Sequence, residues 1–308
     1  MTTRTLGRTD LAVTEACVGA SPLGSSPAIY GYEVPEDRAR ETLRRAFAGP
    51  VNFLDTSNEY GGGRSETLIG EVLDSIGGVP EGYVVATKVD PDPRTHDFSG
   101  ARVRASLAES LSRLHLDRLD LLHLHDPERI SFADATAPGG AVEALQSLRD
   151  EGAVRYLGVA GGSVDLLRRY VATGVFDVVL THNRYTLVDQ SAEPLIAEAA
   201  AAGVGVLNAA PFGGGILARG PDAFPRYAYR AATDDEVARV RAMAATCHDL
   251  GVPLAAAALH FSLRDPRITS TVVGVSAPER VDRLVELTGT QVPDELWPAL
   301  APYLGTSA

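Results

Sequence analysis

Two cysteines, Cys17 and Cys247, are all that this chain of 308 residues carries. That is too few for a disulfide framework, and neither stands in a Cys-x-x-Cys cluster, so both read as reduced core residues and no metal site is expected. Positive charge is also short: 28 Lys and Arg against 40 Asp and Glu leave a formal net charge of −12. A surface of that sign repels phosphate backbones and anionic bilayers, which excludes nucleic acid and membrane as partners and leaves a small molecule. Long hydrophobic runs are missing as well. No segment reaches the roughly 18 apolar residues of a membrane span, and the N-terminus, Met1-Thr2-Thr3-Arg4-Thr5-Leu6-Gly7, has no apolar signal core, so the expected location is the cytoplasm. The dinucleotide fingerprint G-x-G-x-x-G is absent from the N-terminal region, which argues against an open doubly wound sheet.

What is present is an ordinary globular composition, 45% hydrophobic and 22% charged, enough for a sizeable core. Residues 3–18 alternate short apolar and polar runs around Gly7-Arg8-Thr9-Asp10 and read as a β-hairpin, followed by a strand ending near Gly19-Ala20-Ser21. Strands are then expected at 51–55, 83–88, 119–124, 154–159, 176–181, 204–207 and 270–273. Helices are expected at 36–48, 65–76, 99–114, 140–151, 164–172, 192–202, 234–250, 253–263, 278–287 and 294–303. Runs such as Asp177-Val178-Val179-Leu180 suit strands covered on both faces. Eight strands alternating with helices, and no linker dividing them, predict a (β/α)8 TIM barrel with an N-terminal hairpin and extra C-terminal helices, one domain over 1–308.

Active sites of such barrels lie at the C-terminal ends of the strands. Three consecutive predicted strands end in a titratable group, Asp55, Lys88 and His125, and Tyr60 lies five residues past Asp55. A free phenol titrates near 10; an adjacent ammonium is expected to lower that value, with Asp55 holding Lys88 charged. His125 can donate to a carbonyl oxygen or pass a proton to Tyr60. The combination suits interconversion of a carbonyl and an alcohol. Ser65 is expected to cap the helix that follows the three glycines 61–63. Taken singly, each feature has a plainer reading: a strand-end Asp as a helix cap, a Tyr as core, His123 and His182 as satisfied polar groups, the glycine loops as turns, and Trp297 as a packing anchor. His96, His115, His248 and His260 have no such context and are assigned structural or solvent roles.

Asp55-Thr56-Ser57-x-x-Tyr60-Gly61, followed by Ser65-Glu66-x-x-Ile69-Gly70, with Lys88 and His125 on the next two strand ends, resembles the aldo-keto reductases over nearly the whole chain. The resemblance implies a barrel enzyme using NAD or NADP, with Asp55, Tyr60, Lys88 and His125 as the catalytic tetrad, Tyr60 the proton donor or acceptor, and hydride passing between nicotinamide and substrate carbon. It further implies a carboxamide contact at Gly161 and His182, where the family has Ser-Asn and Gln. Pro211, Phe212, Gly213, Gly215 and Leu217 would form a pyrophosphate loop, and Gly274, Ser276 and Arg280 an adenosine-phosphate segment. Gly274 replaces a frequent Lys, which favours NAD over NADP. Asp126 in place of the usual Trp, with Ser21, Tyr30 and Tyr32, resembles the branch that oxidises aldoses at C1 to lactones. An aldehyde, ketone or pyridoxal reductase is the enzymatic alternative, and a cofactor-sensing regulatory subunit, like the members attached to potassium channels, the non-enzymatic one.

Overall fold

The computed structural model describes residues 1–305. Eight parallel strands close into a barrel in chain order: β1 Ala16–Gly19, β2 Phe53–Asp55, β3 Val84–Val89, β4 Leu119–His125, β5 Val154–Gly161, β6 Val178–His182, β7 Gly205–Ala209 and β8 Ser270–Gly274, with β8 pairing both β7 and β1. Each strand lies within about two residues of its expected position, because its apolar run is bounded by turn residues on either side. Period-two alternation sends one set of side chains to the surrounding helices and the other into the barrel. The inner set includes Cys17, Phe53, Val84, Ala86, Leu121, Leu180 and Leu207.

The hairpin pairs Thr3–Thr5 with Ala12–Thr14, shorter than the expected span, since Ala16–Gly19 is taken by the barrel. Its Leu6, Leu11 and Val13 join the inner cluster and plug the N-terminal end of the barrel. Burying each such side chain contributes roughly 1.5–3 kcal/mol. The plug leaves the opposite mouth as the open end. Among the described residues no single helix is long and apolar enough to cross a membrane.

Two expected details differ. The helix after β2 is Arg64–Ile76, and its N-cap is Gly63 with φ +93°, not Ser65. Ser65 sits inside the first turn, fully buried, where its Oγ meets Thr56 Oγ1 at 2.9 Å and the Ala20 carbonyl at 3.1 Å. The hydroxyl therefore ties the helix to β1 and β2. At the C-terminus the expected helix over 294–303 is a short one, Leu296–Leu300, continued by a single tighter turn, Ala301–Tyr303. There Trp297 carries the Arg264 guanidinium 4.3 Å above its ring, a packing role.

Candidate active site

The register of the parallel strands decides which side chains meet. Gly19 pairs with Asp55, Asp55 with Ala86, Lys88 with His123, and His125 with Ala160. The ends of β2, β3 and β4 thus deliver Asp55, Lys88 and His125 to one wall of the mouth. Gly61 returns Tyr60 to it. Its φ is +65°, and a Cβ there would lie 2.0 Å from the Gly24 carbonyl oxygen, so only glycine lets this loop press against the turn after β1.

Lys88 is the centre of this wall. Its Nζ donates to Asp55 Oδ2 at 2.6 Å, to the Thr56 carbonyl at 2.6 Å and to the Tyr60 hydroxyl oxygen at 3.3 Å. Its side chain is 1% exposed, so all three ammonium protons are placed within the protein. Because Tyr60 accepts from Lys88, the phenol's own proton is left to point elsewhere. Burial pushes the Tyr60 phenol well above its ordinary value, and the Asp55 and Asp90 carboxylates add to the effect. This reverses the expected lowering. The Lys88 charge is already shared with Asp55, so the phenol faces an ion pair rather than a bare cation, in a site with little water to solvate a phenolate. At neutral pH Tyr60 keeps its proton.

His125 is held from behind. Its Nδ1 lies 2.6 Å from Asp90 Oδ1 and 3.0 Å from Ser57 Oγ, and Ser57 Oγ in turn donates to Asp90 Oδ2. The backbone amide of Glu59 donates to the same Oδ2 at 3.0 Å. Asp90 and Ser57 are fully buried. The hydrogen bonds and the imidazole hold the Asp90 carboxyl below the usual carboxylate range despite burial, and burial of His125 is outweighed by Asp90, which raises the imidazole above its ordinary value. Asp90 had a signal in the sequence: two residues past Lys88, it falls on the same face of the strand end.

Asp126 follows β4 in the left-handed region, φ +40°, fixed by its amide donating to the Ala160 carbonyl at 2.7 Å. Its carboxylate spans the mouth, Oδ1 standing 3.9 Å from His125 Nε2 and 4.0 Å from His182 Nε2, with Arg129 at 3.5 Å from Oδ2. Opposite lie Ser21 and Tyr30, whose hydroxyls meet at 2.6 Å, and the Tyr30 ring leans on Tyr32 at 5.8 Å. A further ring went unnoticed in the sequence. Tyr229, at the turn of the short hairpin Arg226–Tyr227 with Arg230–Ala231, meets Tyr30 edge-on at 6.3 Å, close enough for the Tyr229, Tyr60 and Asp126 charges to be felt by one another.

The other half of the mouth is backbone. After β5, the Gly162 and Ser163 amides donate to Glu128 Oε1 at 2.8 and 2.6 Å, and a Cβ on Gly161 would lie 2.9 Å from the same carboxylate. Glu128 therefore occupies the two amides beside Gly161, a partner that sequence reasoning missed. His182 ends β6 with Nδ1 3.1 Å from Asn183 Nδ2, and Asn183 Oδ1 is buried without a hydrogen-bond partner among the described residues. In the loop after β7, Gly213, Gly214 and Gly215 all have positive φ, and a Cβ on Gly213 would lie 2.3 Å from the Tyr227 ring. The amides of Gly213, Gly215 and Leu217 bond within the loop, and the Leu217 side chain is core. After β8, Gly274 is exposed, Ser276 half-buried and Arg280 exposed in the first turn of Pro278–Thr288. Buried His123, expected to be satisfied, has no hydrogen-bond partner among the described residues on either nitrogen; it packs on Gly158, where a Cβ would lie 2.1 Å from its Nδ1. Burial and Lys88 keep it neutral.

A nicotinamide dinucleotide fits these residues: the Asn183 Oδ1, orphaned among the described residues, offers an acceptor to a carboxamide. The C-terminal mouth, where this polar wall stands, is the face at which closed eight-stranded barrels carry their chemistry.

Comparison with known proteins agrees. The model of the Aldo/keto reductase family matches residues 16–301. L-galactose dehydrogenase of Arabidopsis thaliana is 36% identical over 286 residues, 92% of this chain and 86% of its own length. D-threo-aldose 1-dehydrogenase of a Pseudomonas species is 33% identical over 325 residues, 96% of this chain and 98% of its own. In fold, an aldo-keto reductase from Bacillus halodurans superposes with a TM-score of 0.83 at 23% identity, covering 100% of this chain and 97% of that one. The chain belongs to the aldo/keto reductase family, and is an oxidoreductase enzyme that works with a nicotinamide cofactor on small carbonyl or alcohol compounds.

Proposed function

We propose that this protein, acting as one cytoplasmic domain, oxidises an aldose at its anomeric hydroxyl to the lactone, with NAD favoured over NADP. The observation that carries the reading is the Asp126 carboxylate, set across the mouth within 4.0 Å of both His125 Nε2 and His182 Nε2. An anion at that point accepts from hydroxyls and offers nothing to an apolar chain. The rings of Tyr30, Tyr32 and Tyr229 opposite it present faces suited to the C–H side of a sugar. The two sugar dehydrogenases among its relatives support the same class of substrate.

Hydride acceptance from the anomeric carbon is the chemistry that a bound nicotinamide would supply. Tyr60 turns its hydroxyl to the substrate oxygen, Lys88 and Asp55 hold the phenol in place, and His125 faces the same oxygen through Nε2. Gly161, His182 and Asn183 would hold the carboxamide. The loop of Pro211, Phe212, Gly213, Gly215 and Leu217, held in shape by its own amide hydrogen bonds, would border the pyrophosphate, and Gly274, Ser276 and Arg280 the adenosine end. Arg280 is the single cation of that last segment, which is why the unphosphorylated ribose is favoured.

Steady-state oxidation of an aldose panel including L-galactose, L-fucose and D-arabinose, with each cofactor, tests the reading. Turnover of one or more aldoses, faster with NAD, is the expected result. Reduction of simple aldehydes with no aldose oxidation would overturn it.

A further inference from the structure

After β5 the chain reads Gly161-Gly162, yet neither residue has a positive φ, so the backbone does not call for glycine there. Space does. A Cβ on Gly161 would lie 2.9 Å from Glu128 Oε2 and 3.0 Å from its Oε1, and one on Gly162 would lie 3.0 Å from His182 Cε1. The two glycines make room for a carboxylate from the turn after β4 and for the imidazole that ends β6.

Glu128 meets only backbone. Its Oε1 accepts from the amides of Gly162 and Ser163 at 2.8 and 2.6 Å, at the start of the helix Val164–Ala172, and among the described residues no hydrogen bond or ion pair reaches Oε2. The arginines of this rim are committed elsewhere, Arg129 to Glu59 and Asp126, and Arg184 to Asp189 and the Gly162 carbonyl. A helix N-terminus carries about half a positive charge, so it offsets only part of an anion. The remainder is felt in the mouth. Burial lowers the His182 imidazole, and the Asp126 and Glu128 carboxylates both pull against it. His182 and Asn183, with its orphaned Oδ1, are the residues that fit a carboxamide, so the uncompensated charge belongs to the same corner.

A nicotinamide ring is a cation when oxidised and neutral when reduced, and the rest of the dinucleotide is the same in both forms. A fixed anion in that corner tells the two apart by charge alone. We propose that Glu128 is a specificity-determining residue for the redox state of the dinucleotide, favouring the oxidised form over the reduced one. Asp126 acts in the same direction but is drawn partly to Arg129. The inference rests on the oxidative reading above: an enzyme working in that direction gains from holding the form it consumes and releasing the form it makes. The plainer role for Glu128 is to cap the helix that starts at Val164. A cap needs an acceptor oxygen and not a charge, so Glu128→Gln separates the two, because its amide oxygen can still accept both N–H groups.

Isothermal titration of the wild-type protein and the variant with NAD+ and NADH, and with NADP+ and NADPH if that pair binds more tightly, reads the ratio of the two Kd values. Glu128 is exposed, so solvent and salt screen it and the effect is modest: Glu128→Gln should weaken the oxidised form about 3- to 10-fold and leave the reduced form within about twofold. Glu128→Asp, which keeps the charge, should restore part of the preference. Equal weakening of both forms, as loss of a cap alone would give, or an unchanged ratio overturns the proposal. If Glu128→Gln does not fold, wild-type titrations at low and high salt decide. Both forms carry the same phosphates, so their ratio isolates the ring, and it must move toward the reduced form as salt rises; a fixed ratio overturns the proposal. No substrate enters these measurements. Absence of aldose oxidation together with a shifted ratio would refute the substrate class and leave the role of Glu128 standing, whereas failure to bind any of the dinucleotides would overturn both.

Discussion

The two halves of the barrel mouth are built on opposite plans. At the ends of β2, β3 and β4, charged side chains are buried and joined by short hydrogen bonds: Lys88 to Asp55 and Tyr60, Asp90 to His125 and Ser57. At the ends of β5, β7 and β8 the surface is Gly161-Gly162, Ala209-Ala210, Gly213-Gly214-Gly215 and Gly274, where side chains are withheld. One wall is ordered before any ligand arrives, so its dipoles need no reorganisation at the moment of reaction. In the proposed reading the other receives a large ligand, so that reactivity is placed by side chains and binding by their absence.

Substitutions in each half should therefore fail differently. Tyr60→Phe, in the wired half, is expected to lower turnover by about 10²–10⁴-fold while the dinucleotide affinity, measured by cofactor fluorescence, stays within about twofold. A regulatory sensor would show no such split. Lys88→Met is expected to cost stability as well as activity: it leaves Asp55 buried without its cation, worth about 3–5 kcal/mol in a urea titration. Gly213→Ala, in the glycine half, forces a left-handed alanine against the Tyr227 ring and should cost about 1–3 kcal/mol. Its kinetic signature should be a weaker cofactor Kd with kcat little changed, and a lowered kcat at saturating cofactor would break the distinction. Asp126→Asn keeps a residue that tolerates φ +40° and removes only the charge, so KM for an aldose should rise about 10-fold, with far less effect on a simple aldehyde.

The smallest effect expected is on stability against pH. Asp90 is lowered in the folded state, so its contribution is present above its unfolded value of about 3.9 and is lost as pH falls through the folded one. His125 is raised, so its contribution is complete below about 6.5 and is lost as pH rises through the folded value. The pair is at full strength between about pH 4 and 6.5. Urea midpoints taken at the centre of that window and well above it should fall more in the wild type than in Asp90→Asn. Equal slopes would show that the pair is not coupled to folding.

The same contrast explains what could be read beforehand. The eight strands and the order Asp55, Tyr60, Lys88, His125 were legible because an apolar run ending in a titratable residue is a local pattern, and barrel closure places consecutive strand ends side by side. Glu128 was not, because its partner Gly162 is 34 residues away, and Asp90 showed only its two-residue spacing from Lys88, its partner His125 being 35 residues away; both pairs are joined by register rather than spacing. Tyr229 was missed for the same reason. The direction of the Tyr60 shift was misjudged because one cation can be counted in a sequence, whereas burial and the sharing of its charge with Asp55 cannot. Ser65 looks like a cap by type and place, yet the chain spends its hydroxyl on the neighbouring strands.

Lys88 has one more property, which belongs to the molecule as an object of experiment. Of the 28 Lys and Arg in the chain it is the only lysine; every other one is arginine. Protein grown on isotopically labelled lysine therefore carries its label at one position in the whole molecule, and that position is the ammonium between Asp55 and Tyr60. With the label at Nζ its spectrum is a single resonance, with nothing to assign, reporting the charge and surroundings of the proposed reaction centre as each ligand is added.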